Sequence, residues 1–207
     1  MRIVMATQNA NKVREFAQLL GSRVDLVLLP SDLPKAPETG ETFLDNARQK
    51  ALFYARYVED PVLADDSGLV VPALGGEPGV HSARYAGEGA DDRANNDKLI
   101  RALRAKGLRA ADAWFACALV VAHKDQVLVE VEARVDGMVH DAPRGDRGFG
   151  YDPLFSPHGE ARRFAEMSSE EKHRFSHRAR AVRELVERLP FVIDREGRSS
   201  TGENALS

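Results

Sequence analysis

Two apolar stretches, Ala113–Ala122 and Val127–Val135, stand on either side of the polar quartet His123-Lys124-Asp125-Gln126. Segments of this length joined by so short a polar connection predict an antiparallel hairpin at the centre of a sheet. An isolated hairpin is marginal in water, so the rest of the chain must cover it.

The remaining segments alternate between strand and helix patterns. Arg2–Ala6 reads as a strand and Asn11–Leu20 as a helix, with Val13, Phe16, Leu19 and Leu20 at helical spacing. Val24–Leu29 is a second strand, after which Pro30, Pro34 and Pro37 break regular structure. A long helix starts near Thr42, where Thr42 and Asp45 resemble a capping box with aspartate in place of glutamate. Its face of Phe43, Ala47, Lys50, Ala51 and Tyr54 is apolar except for Lys50. Val62–Ala64 is a brief strand expected to end at Asp65-Asp66-Ser67-Gly68, with Leu69–Val71 extended beyond it. Gly75–Gly89 is a glycine-rich loop and flap candidate, and Ala94–Ala105 is helical. Ser168 and Glu171 form another capping box ahead of a helix to about Leu189, Phe191–Ile193 suggests an edge strand, and the chain after Arg195 reads as frayed. The sum is an α/β fold: a mixed β-sheet with a long antiparallel hairpin flanked by helices. No repeat or linker divides it, so residues 1–194 are expected to form one domain and 195–207 a disordered tail.

Composition narrows the function. The longest apolar run, Phe115–Ala122, falls far short of the roughly 20 residues needed to cross a bilayer. The lone Cys117, set in that run, reads as a buried thiol of a cytoplasmic protein. A net charge of -3, from 29 basic and 32 acidic residues, gives no field for nucleic acid or membrane. An anionic ligand must therefore meet a local cluster.

Four segments offer such clusters, each with a plain structural alternative. Thr7-Gln8-Asn9-Ala10-Asn11-Lys12 joins a strand to a helix N-terminus, where free N–H groups, the dipole and Lys12 can hold an anion; an ordinary cap with an exposed lysine fits equally. Glu38, Asp65 and Asp66 supply the hard oxygens that magnesium needs alongside phosphates, whereas Asp66-Ser67-Gly68 also suits an Asx-turn. Gly148-Phe149-Gly150-Tyr151-Asp152-Pro153 sets two aromatics between glycines, either to stack on a base or to pack beneath the loop. Lys172, His177 and Arg178 are either phosphate and base contacts or a solvated helix face.

Taken in order, ATQNANK, ETGETFLDNA, ADDSGL, LGGEPGVHSARYAG, GFGYDPLF, AEMSSEEK and SHR resemble the inosine triphosphate pyrophosphatase family from Ile3 to about Leu189. The resemblance implies hydrolysis of inosine, deoxyinosine and xanthosine triphosphates to monophosphate and pyrophosphate, with Mg2+ as cofactor, in a homodimer, at a cleft between two lobes. It further implies that Thr7, Gln8, Asn9, Ala10, Asn11 and Lys12 hold the triphosphate, with Lys50 facing the same charge. Asp66 would be the general base and touch magnesium, with Glu38, and with Asp65 as a further candidate; Ser67 would contact substrate. Phe149, Gly150, Tyr151 and Asp152 would face the base, closed in by Lys172, His177 and Arg178, with Arg84 a weaker phosphate candidate. Gln8, where the family often has glycine, and Asp45, where glutamate is common, are small departures. The rival expectations are a related pyrophosphatase for other modified nucleotides and a non-catalytic nucleotide sensor; the charge distribution does not favour a nucleic-acid-binding module.

Overall fold

The computed structural model describes residues 1–199, with side-chain surroundings through Leu189. Strand β1 (Arg2–Met5), helix α1 (Ala10–Leu20) and strand β2 (Asp25–Leu28) form a parallel β-α-β unit. Helix α2 (Phe43–Tyr54) leads to β3 (Val62–Val70), which pairs parallel with the other edge of β1. After helix α3 (Asp92–Ala105), β4 (Ala110–His123), β5 (Gln126–His140) and β6 (Phe155–Pro157) add antiparallel, in the order β2-β1-β3-β4-β5-β6. The sheet is mixed, as the sequence predicts. The hairpin turn is only Lys124-Asp125, and the hairpin sits to one side of centre, because β3 and β4 are the two middle strands.

Three differences from the sequence reading matter. First, Asp65-Asp66-Ser67-Gly68 does not end a strand. β3 runs through it, pairing Asp65, Asp66, Ser67 and Gly68 with Leu119, Ala118, Cys117 and Ala116 of β4. An unbroken partner strand overrides the local turn preference of these residues, as pairing context commonly does. Second, the single helix expected after Ser168 is two, α4 (Ser169–Phe175) and α5 (His177–Ser199). Ser168 makes the expected capping box with Glu171, but Ser176 is extended (ψ 148°) and its hydroxyl accepts the Ala179 N–H at 3.2 Å, starting a new helix. Third, Phe191–Ile193 lie within α5 rather than in an edge strand, and α5 continues past Arg195 to Ser199; the sheet's edges are β2 and β6. The remainder of the expected tail, 200–207, lies outside the described residues.

Alternation along β4 assigns the faces of the sheet. Cys117, Leu119 and Val121 pack with α1 and α5, including Phe16, Ala181 and Leu185, while Ala118, Val120 and Ala122 pack with Ala47 and Ala51 of α2. Cys117 is buried, and burial pushes its thiol pKa up. Phe115 and Ala113 belong to a third cluster with Leu69, Leu99, Leu103, Tyr151 and Phe164. The core thus changes partners near Ser67–Gly68 of β3, and the candidate site opens there.

Gly68 keeps that junction close. A Cβ there would lie 2.3 Å from the Ser82 hydroxyl and 2.7 Å from the Gly79 carbonyl, and that hydroxyl accepts the Leu69 N–H at 3.0 Å. Gly68→Ala is expected to destabilise the protein by about 1–3 kcal/mol through overpacking. A thermal melt showing an unchanged midpoint would contradict this packing.

Candidate active site

The Thr7–Lys12 turn is both a cap and a candidate anion site. Asn9 caps α1, its side chain accepting the N–H groups of Asn11 (2.9 Å) and Lys12 (3.2 Å). The Asn9 N–H goes to the Thr7 hydroxyl at 3.2 Å, and among the described residues the Gln8 and Ala10 N–H groups have no partner. Lys12 is not the solvated lysine of a plain cap: its side chain is largely buried and meets Asp65 Oδ2 at 3.0 Å.

The adjacent aspartates face opposite ways, as neighbours on a strand do. Asp65 is fully engaged, accepting from Lys12 and from the Ser67 hydroxyl (3.0 Å). Burial opposes its ionisation, but Lys12, Arg178 and Lys50 outweigh that and hold its carboxyl below the ordinary value. Asp66 accepts from Asn46 Nδ2 at 3.2 Å, with Lys50 Nζ 4.0 Å away. Burial, helped by Asp65 and Glu38, pushes its pKa up to about 6 against the pull of Lys50 and Lys12. That value suits proton transfer near neutral pH far better than an ordinary aspartate.

Lys50 is the hub of this side. Its ammonium meets Glu38 Oε1 at 2.6 Å and the Asp65 carbonyl at 3.1 Å. Burial disfavours its charge, yet Asp65, Asp66 and Glu38 together raise its pKa. Glu38 also meets Arg84 at 3.2 Å; burial opposes its charge, but Lys50 and Arg84 hold its pKa down. Among the described residues no three His, Cys, Asp or Glu side chains converge as a closed metal cage. The donor set nevertheless fits magnesium, which takes one or two carboxylates and completes its shell with substrate phosphates and water. Glu38 and Asp66, both beside Lys50, are the two carboxylates that would be available to it, whereas Asp65 is committed to Lys12.

The second half of the site surrounds Phe149. Arg178 Nη1 donates to Glu15 Oε2 and Nη2 to the Ser67 hydroxyl, each at 2.9 Å, with the guanidinium 4.9 Å from the Phe149 ring centre. Lys172 donates to Asp152 Oδ2 at 2.7 Å and lies 5.1 Å from the same ring. Asp152 Oδ2 also accepts the Phe149 N–H at 3.0 Å, and a Cβ on Gly148 would lie 2.1 Å from that oxygen. His177 stacks on Phe115 (4.7 Å, 9°), buried, and among the described residues neither ring nitrogen has a hydrogen-bond partner. Burial, then Arg178, Lys172 and Lys12, hold its pKa well below the usual value, so the ring is neutral.

Not every expected contact faces the cleft alike. Tyr151 is a buried anchor whose hydroxyl donates to the Ser82 carbonyl at 2.7 Å. The Gly150 peptide is held by α3, its N–H donated to Asp92 Oδ2 (2.6 Å) and its carbonyl accepting from Asn96 (2.9 Å). A small cleft of about 80 Å³ runs between Lys12, Ser67, Phe149 and Arg178, and a pocket of about 220 Å³ lies against Phe149, Glu15 and Lys172. A larger cavity, about 680 Å³ beside Trp114, Glu132 and Arg134, contains none of these groups, so position and chemistry, not size, identify the site.

Sequence reasoning missed Glu15, Asn46, Asp92 and Asn96. Asn46 is buried on α2 among Ala47, Ala51 and Tyr54, the pattern that singled out Lys50, whereas Glu15 shares its side of α1 with Lys12 and gave no such signal. Asp92 and Asn96 carried no such signal.

Comparison with known proteins places this arrangement. The profile of the Ham1 family matches residues 3–188. The chain is 48% identical over 200 residues to a dITP/XTP pyrophosphatase of Geobacillus kaustophilus, covering 95% of this chain and 98% of that one. A dITP/XTP pyrophosphatase of Bacillus anthracis is 46% identical over 195 residues, covering 91% and 96%. A HAM1 protein structure from Coxiella burnetii superposes with a TM-score of 0.81 at 36% identity, covering 92% and 98%.

Proposed function

Because this chain belongs to the Ham1 family, we propose that it hydrolyses non-standard purine nucleoside triphosphates (ITP, dITP and XTP) to monophosphate and pyrophosphate. The observation that carries the reading is a grouping: Asp66, largely buried and bonded to Asn46, lies beside Lys50, which also holds Glu38, and Lys12 follows the anion-ready N-terminus of α1.

Gln8 and Ala10 offer N–H groups, and Lys12 and Lys50 full charges, to the triphosphate. Glu38 and Asp66 would hold magnesium, which would neutralise phosphate oxygens and favour departure of pyrophosphate. Asp66, which accepts from Asn46 and among the described residues has no ion pair shorter than the 4.0 Å to Lys50, takes the proton of the attacking water. Ser67 links the two halves, accepting from Arg178 while donating to Asp65. The base stacks on Phe149, while Arg178, Lys172 and neutral His177 present polar groups to its edge. Among the described residues the buried Arg178 Nε has no hydrogen-bond partner, and we assign this spare donor to the C6 carbonyl of hypoxanthine or xanthine. Adenine presents an amino group there, and a donor facing a donor in a closed site discriminates strongly. Residues 1–194 act as one nucleotide pyrophosphatase domain. We also infer, from the family resemblance, a homodimer, and a cytoplasmic location in keeping with the lone thiol Cys117; light scattering of the purified protein tests the dimer.

The test is incubation with magnesium and, separately, inosine, deoxyinosine, xanthosine, adenosine and guanosine triphosphates, with products identified. Monophosphate plus pyrophosphate from the first three in preference to the last two is expected. Diphosphate plus phosphate, or turnover without base preference, would refute the reading.

A further inference from the structure

We infer that Glu15 is the positioning residue of the base pocket, a single buried carboxylate that sets the places of both Arg178 and Lys172. The inference rests on the proposed function, in which those two cations read the base. Glu15 lies three residues after Lys12, so the two project from the same side of α1. The helix whose N-terminus faces the triphosphate therefore also carries the counter-charge of the base pocket.

The contacts are specific. Glu15 Oε2 accepts from Arg178 Nη1 at 2.9 Å, and Oε1 lies 3.4 Å from Lys172 Nζ. The three side chains are each 7–8% exposed. Burial opposes ionisation of Glu15, but Arg178 and Lys172 outweigh it and lower its pKa, so it is charged at neutral pH. Each cation has one further tie, Arg178 to Ser67 and Lys172 to Asp152. These second ties come from β3 and from the Phe149 loop, on either side of the cleft. Glu15, which belongs to neither side, is hydrogen-bonded to Arg178 and within ion-pair distance of Lys172, and so it fixes their spacing relative to the Phe149 ring. Without its charge, Lys12, Lys172 and Arg178 share a largely buried site with Asp65 and Asp152 as the remaining carboxylates, and mutual repulsion displaces the guanidinium from its place over the ring.

Glu15→Gln tests this, since the amide keeps the shape and one acceptor for Arg178 but turns a donor or a neutral oxygen toward Lys172. The expected result is a KM for inosine triphosphate raised about ten- to hundredfold, kcat within about threefold, and a matching fall in the inosine-to-adenosine ratio of kcat/KM. Inhibition by pyrophosphate, which lacks a base, stays within about twofold of wild type. An unchanged ratio overturns the assignment, as does an equal loss for every nucleotide accompanied by lost pyrophosphate inhibition, which is general damage. If Glu15→Gln does not fold, Glu15→Asp, which keeps the charge one methylene short of Arg178, is read by the same criteria. A wild-type enzyme without base preference overturns the functional reading and this assignment together; a selective wild type with an equally selective variant overturns this assignment alone.

Discussion

Asp66→Asn is expected to lower kcat for inosine triphosphate by roughly 10²–10⁴-fold with magnesium present, the range of a lost general base. The same variant is expected to be more stable than wild type in metal-free buffer at pH 8. The sign follows from the raised pKa, about 6 in the fold against an ordinary 3.8. A group shifted upward favours the fold fully below its unfolded value, and that contribution is lost as pH rises through the folded value. Above about pH 6 the ionised Asp66 therefore strains the apo fold, because burial and the nearby Asp65 and Glu38 disfavour its charge more than Lys50 and Lys12 compensate. Asparagine removes that charge and keeps an oxygen for Asn46. The gain, on the order of 1–3 kcal/mol, raises the melting midpoint by several degrees at pH 8 and shrinks toward zero near pH 4. Such opposition between activity and stability is typical of catalytic groups. An inactive variant with an unchanged or lower midpoint at pH 8 would mean that Asp66 is well compensated in the apo protein and that its raised pKa is not the basis of its role.

Arg178→Ala is expected to damage both selectivity and stability. The guanidinium is buried, and its loss strands Glu15 with Lys172 alone and leaves the Ser67 hydroxyl without its donor. Breaking a buried pair by removing one partner costs about 3–5 kcal/mol. The inosine-to-adenosine ratio of kcat/KM is expected to fall about 10- to 100-fold, the worth of one charged hydrogen bond in a closed site. Arg178→Lys should recover part of the stability and little of the selectivity, because an ammonium cannot span Glu15 and Ser67 as the planar fork does. Equal ratios in wild type and Arg178→Ala would sink the base-reading role, whatever happened to the melting temperature.

Much of the site was legible because its chemistry is written in short segments. The helix cap at Asn9, the charged Lys50 on an apolar face and the glycines around Phe149 each have a local cause, and each appears where the residues put it. Legibility failed where a distant strand or helix supplied the cause. Asp65 and Asp66 look like a turn until β4 is laid beside them, and only then do they separate into an ion pair with Lys12 and an under-compensated acid. Tyr151 looks like a stacking ring until Ser82 arrives from a segment 69 residues away to take its hydroxyl.

Periodicity, caps and composition are local properties, so the mixed α/β class, the hairpin, the helix starts at Thr42 and Ser168, and the set of charged residues available to a nucleotide follow from the amino-acid order alone. The continuous β3, the break at Ser176 that puts His177 and Arg178 in the first turn of α5, and the partner of each charge come from long-range packing. Pairing of charges is a matter of distance and burial across elements far apart in the chain, so Glu15, silent in the sequence, emerges as the group that Lys172 and Arg178 share.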